Sequence, residues 1–266
     1  MESSKTSTDT VRFLYDVRAV SGSHAEITVS IAGLSLALLL ILPIFGGDSA
    51  FFQSSSKILP LLFFFTSLVF GILASFEYSV MSGDKRSEPI RVMAFLGPSI
   101  AFGISIPLLL LGFIYVVRGY LDGNETNHSI VSIMRSFSLL GLWASGILVS
   151  RTILEAISFT NNGPTWVRKL MKEHKAKIML IMVGYTTIAA LFPVMKMIIN
   201  TTPVISILAS NIYFYFLVLL GFLNVVYYVF AAMSSIKVSL LSTDRLAWVL
   251  LVGFTIFVIW TFVVFA

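Results

Sequence analysis

Arg151 and Glu155 stand four residues apart inside "SRTILEA", within a run that is otherwise apolar, and Glu77 lies in the comparably apolar "ASFEYSVM". A full charge in hydrocarbon is costly, so such groups turn toward one another or toward a water-lined path, and they recur at ion and proton pathways. The chemistry open to Glu77, Arg151 and Glu155 is therefore charge pairing at one end of a helix bundle, either as a structural latch or as a gate or ion site. Sixteen residues separate Arg135 from Arg151, about 24 Å of helix at 1.5 Å per residue, which carries Arg151 from one membrane face nearly to the other. With the cation first, the pair has the weaker order for an i, i+4 contact, so helix stabilisation alone explains little.

Deeper in the apolar runs the polar groups are uncharged. Asn224 is suited to an interhelical hydrogen bond. "GPSIAFGISIP" contains Pro98 and Pro107, which break backbone hydrogen bonds and suit a pore-lining or tightly packed helix. Ser138, Gly141 and Ser145 fall on one helical face, a small-residue stripe that lets another helix approach closely.

Other chemistries are closed off by what is missing. The chain has no cysteine, and its three histidines, His24, His128 and His174, lie outside the apolar runs, so neither a thiolate site nor a set of imidazoles for metal or haem can be assembled within the membrane. H-E-x-x-H, G-x-S-x-G and a phosphate-cradling glycine loop are all absent. The expectation is a non-enzymatic protein without a cofactor or metal of its own and without a nucleic-acid partner.

Those groups must be positioned by membrane helices. Of 266 residues, 57% are hydrophobic and 12% charged, and the mean hydropathy of +0.94 leaves too little polar surface for a water-soluble globule. Seven apolar blocks, at 26–45, 58–81, 92–117, 131–157, 177–199, 206–233 and 246–266, predict an all-α integral membrane protein with a seven-helix bundle over residues 26–266. Residues 1–25 are expected to be a cytoplasmic interfacial segment.

Thirteen basic residues collect on one side: Lys5, Arg12, Arg18, Lys85, Arg86, Arg91, Arg168, Lys169, Lys172, Lys175, Lys177, Lys237 and Arg245. Since cytoplasmic loops retain lysine and arginine, this side is inside, with the amino terminus inside and the carboxyl terminus outside. The sequons beginning at Asn124, Asn127 and Asn200 all fall in loops placed outside, as glycosylation requires. In "TWVRKLMKEHK", Arg168, Lys169, Lys172 and Lys175 lie opposite Trp166, Val167, Leu170 and Met171, so residues 165–176 form a basic amphipathic segment suited to anionic headgroups. Localisation in the plasma or cytoplasmic membrane follows.

Seven helices invite comparison with rhodopsins and G-protein-coupled receptors, but their amino termini face outward, and the last block here has no lysine for a retinal Schiff base. Internal symmetry is a better lead. Pro43 and Pro193 occupy corresponding places 150 positions apart, and Met81, Ser82 and Lys85 match Met233, Ser234 and Lys237 at an offset of 152. This suggests a three-plus-one-plus-three duplication of the kind found in transporters.

Two functions fit. With no ionisable group evident near the midplane, the sequence leans toward an accessory or scaffolding subunit of a larger membrane assembly, with other subunits or copies of itself as partners. The alternative is a small channel or transporter with a polar gate on the cytoplasmic side. The orientation is directly testable: in intact cells an epitope at the carboxyl terminus should be labelled from outside, and one at the amino terminus only after permeabilisation.

Overall fold

The computed structural model describes residues 17–45, 58–83, 94–121, 207–233 and 240–261, together with 140, 141, 143, 184 and 187. Among the described residues the chain is all-helical: α1 (Val17–Phe45), α2 (Ile58–Ser82), α3 (Leu96–Leu121), α4 (Ile207–Met233) and α5 (Leu240–Trp260). Among the described residues four stretches are long and apolar enough to cross a membrane, Arg18–Leu42, Ile58–Ser82, Leu96–Val117 and Ile212–Ala231, and α5 adds a shorter apolar stretch at Leu246–Trp260. The chain is an integral membrane protein of the helical type. The 25 residues of α2 extend about 37 Å, enough for a hydrocarbon core of about 30 Å.

Each helix buries a stripe at helical spacing. On α2 it comprises Pro60, Phe63, Phe64, Ser67, Phe70, Gly71, Ala74, Glu77, Tyr78 and Met81, and on α4 it runs through Tyr213, Leu217, Leu220, Asn224, Tyr227, Tyr228 and Ala231. Phe65, Phe76, Tyr215, Val218 and Phe222 lie on the opposite faces and are exposed. Apolar groups on both faces are what lipid demands, so polarity and side-chain size, rather than hydrophobicity, decide which face turns inward.

The first three helices are held together at mid-depth by serine. Ser67 Oγ donates to the Ser105 carbonyl and Ser105 Oγ donates to the Ser67 carbonyl, both at 2.8 Å, while Ser35 Oγ stands 3.1 Å from Ser67 Oγ. Gly71 permits this approach, because a Cβ there would lie 3.2 Å from both Ala32 Cβ and Ser105 Oγ. Toward one end of the bundle Phe63 packs against Tyr115 and Phe214, and Tyr213 shares a 2.8 Å hydrogen bond with Thr261. At the other end Arg18 Nε donates to the Ser82 carbonyl at 3.3 Å, so a cation on α1 caps the carboxyl end of α2. Those contacts make α1, α3 and α5 run one way and α2 and α4 the other.

Two details depart from the sequence expectation. The first helix begins nine residues before block 26–45, at Val17. Its opening turns are rich in small residues and score poorly for hydropathy, yet Ser21 is buried and the His24 ring packs 5.1 Å from that of Tyr78. Packing against a neighbouring helix extends a helix that hydropathy alone cuts short. In α3, Pro98 occupies the first turn, where a missing N–H costs nothing, and Pro107 alone lies in the helix interior.

Gly112 is the tightest crossing between α2 and α3, since a Cβ there would lie 2.5 Å from Phe64 Cε1. Gly112→Ala is expected to cost roughly 1–3 kcal/mol of stability. Combined with Phe64→Leu, the loss should be smaller than the sum of the two single losses, as measured by thermal unfolding of the detergent-solubilised protein.

Candidate functional site

The buried stripes of α2 and α4 meet near the end of the bundle that Arg18 caps, and they bring together Glu77 and Asn224, 147 residues apart in sequence. Glu77 is 1% exposed and Asn224 fully enclosed. The Asn224 Nδ2 amide donates to both carboxylate oxygens, at 3.3 Å to Oε1 and 3.4 Å to Oε2. Tyr228, one turn further along α4, donates its hydroxyl to the Glu77 carbonyl at 3.5 Å.

Glycine at the start of α3 provides the third wall. A Cβ on Gly97 would lie 3.2 Å from Glu77 Oε2, 3.5 Å from Asn224 Oδ1 and 3.6 Å from Tyr227 Cδ1. Both oxygens thus border the bare α-carbon. Asn224 Oδ1 is buried and has no hydrogen-bond partner, a rare condition for an amide oxygen in a packed interior.

A second polar group sits beside this one. Tyr78, the next residue after Glu77, turns to the α1 side, where its hydroxyl and Ser99 Oγ are 3.2 Å apart. His24 lies half-buried among the rings of Tyr78, Phe95 and Phe102, at centroid separations of 5.1, 6.0 and 5.7 Å, and its Nδ1 is buried without a partner. Adjacent positions on α2 therefore feed two polar clusters, one shared with α4 and one with α1. Glu26, two residues further along α1 than His24, is exposed.

Of the residues singled out from sequence, Glu77 and Asn224 come together, and Pro98 lies beside the Gly97 that completes their enclosure. Pro107 is buried further along α3, away from the pair. Gly141 faces Leu110 of α3, whose Cδ1 would lie 2.8 Å from an added Cβ, so this member of the small-residue stripe packs within the chain. Trp143, near it, donates its indole N–H to Thr187 Oγ1 at 3.1 Å. Ser138, Ser145, Arg151, Glu155, the basic set Arg168, Lys169, Lys172 and Lys175, and the sequon residues Asn124, Asn127 and Asn200 lie outside the described residues. The partner of Glu77 among the described residues is a neutral amide, and no cationic side chain there faces its carboxylate.

Sequence reading noted His24 only as lying outside the apolar runs and Gly97 only as one of the breaks in "GPSIAFGISIP", and it passed over Tyr228. The signal for Tyr228 was its i, i+4 spacing from Asn224. Gly97 is readable only as a helix-start residue, and His24 carried no signal once it fell outside the hydropathy window. No three His, Asp or Glu side chains among the described residues stand close enough to hold a transition metal.

Removing one partner from a buried polar pair costs more than removing both. Asn224→Leu, which leaves the carboxyl without its donor, is expected to destabilise the protein by roughly 1–3 kcal/mol. Glu77→Gln should cost less, and the Glu77→Leu, Asn224→Leu double variant should recover much of the loss, all read from unfolding midpoints in one detergent. The chain matches no protein-family model, no curated protein and no solved structure.

Proposed function

We propose that the chain is a seven-helix membrane protein, amino terminus inside, that moves a small ion or solute, with the Glu77 cluster as its cytoplasmic-side polar gate. One observation carries this reading: Glu77 is enclosed by three helices with a neutral amide as its side-chain partner among the described residues. An ionisable group inside a membrane bundle marks a conduction or coupling path by default, since a purely structural role is served at lower cost by apolar packing.

The helix directions support the topology. α3 ends at the same end of the bundle at which α4 starts, as the predicted fourth and fifth spans require if each crosses once. Arg18 at the opposite end is consistent with the inside assignment of the basic residues. Glycosylation at Asn124, Asn127 and Asn200 and headgroup binding by residues 165–176 belong to the same proposal, as does a plasma or cytoplasmic membrane location.

A second reading is an accessory or scaffolding subunit of a larger membrane assembly. It is favoured by the aromatic outer faces of α2 and α4, where Phe76 is 65% and Tyr215 77% exposed, which suit contact with further helices as well as with lipid. Extraction in mild detergent, with native mass and every copurifying chain determined, separates the two. Copies of this chain alone, together with ion movement in vesicles carrying voltage- and pH-sensitive dyes, support the transport reading, and Glu77→Gln should then abolish flux without altering assembly. Stoichiometric foreign subunits and no flux would establish the accessory role.

A further inference from the structure

We infer that Glu77, Asn224 and Gly97 form a binding site for one dehydrated alkali cation of about sodium's size. The inference rests on the transport reading and supplies its coupling or conducted ion. Three side-chain oxygens meet here: Oε1 and Oε2 of Glu77, and Oδ1 of Asn224. Two of them, Oε2 and Oδ1, border the space that a Cβ at Gly97 would fill, at 3.2 and 3.5 Å from that point.

Asn224 Oδ1 is the pointer to a ligand, because it is fully buried and accepts no hydrogen bond. An acceptor left in that state forfeits its hydration without return. A cation beside Gly97 would complete Oδ1 and Oε2 together, with the amide oriented as it stands.

Charge and space narrow the choice. One carboxylate neutralises one monovalent cation, whereas a divalent ion would leave a net positive charge in a low-dielectric site where the described residues offer no second anion. Organic cations are excluded by the tight approach of Oε2, Oδ1 and the Tyr227 ring to Gly97. A proton on the carboxyl is the competing occupant, because the amide turned over would accept its O–H through Oδ1, and the pH series below separates the two. Among the described residues the titratable groups nearest the site, Tyr227 and Tyr228 on α4, Tyr78 on α2 and His24 on α1 beyond it, bring no second carboxylate. Glu77 lies five residues before the end of α2, about 7.5 Å along the helix, so water from that side is within reach to fill the remaining coordination positions.

The test uses the full-length protein in detergent. Its unfolding midpoint is followed as NaCl replaces choline chloride at constant ionic strength and pH, with LiCl and KCl in parallel and a pH series in choline alone. A saturable rise in Tm with Na⁺, weaker with K⁺, is expected in the wild type and should vanish in Glu77→Gln. Should that variant fail to fold, Gly97→Ala keeps the charge while placing a methyl between the oxygens, and is expected to weaken the apparent Na⁺ affinity at least tenfold. An equal Na⁺ response in wild type and both variants overturns the inference, as does no Na⁺ response at all. A midpoint that follows pH but not Na⁺ also overturns it and hands the site to a proton. A Na⁺ response without flux in vesicles removes the transport reading and leaves the site, whereas flux without a Na⁺ response does the reverse.

Discussion

A carboxyl group withdrawn from water has to be compensated by whatever the surrounding helices bring to it, and for Glu77 that is, among the described residues, the side-chain amide of Asn224. This requirement fixes more than one pair. It sets the rotation of α2, because Glu77 must face inward, and the rotation of α4, because Asn224 must meet it. It also fixes the small residue at the start of α3, since any side chain at position 97 would press on both. The apolar residues of the same helices impose no such condition, because lipid and protein interior are nearly equivalent solvents for them.

The bundle accordingly divides into levels with different tasks. At mid-depth the reciprocal Ser67 and Ser105 bonds satisfy hydroxyls against backbone carbonyls and leave the clasp electrically neutral. Toward the end where α2 and α4 start, contacts are mainly aromatic, with the Tyr213 to Thr261 hydrogen bond as the polar exception. Only the level of Glu77 contains a buried carboxylate among the described residues. Among the described residues, the level of Glu77 is therefore where a change in charge would alter helix contacts.

Much of this was legible in the sequence. The apolar blocks located three of the four described membrane-length helices to within about four residues, because a hydrocarbon slab imposes a length that composition reveals directly. The start of α1 was missed, as its first turns are built from Ala, Ser, Gly and His, whose burial depends on a partner helix rather than on hydropathy. Glu77 and Asn224 were each noticed, but as separate groups. Their meeting depends on the relative rotation of two helices, and with large apolar residues all round α2 and α4 the moment that would reveal an inward face is weak. The inward face of α2 is nonetheless marked by its small residues, Ser67, Gly71 and Ala74, and Glu77 continues that line at the next helical interval. The link from Gly97 to both depends on a close approach of helices, for which a single glycine in sequence is no guide.

The distance along the chain between Glu77 and Asn224 has a consequence for biosynthesis. α2 leaves the ribosome 147 residues before its side-chain partner, a delay of roughly 7 to 30 s at usual elongation rates. Through that interval the carboxyl is without its Asn224 donor, and its neutral, protonated form is the one least costly to hold in the bilayer. A chain truncated before α4 would lack the Asn224 donor that meets this carboxyl in the complete bundle.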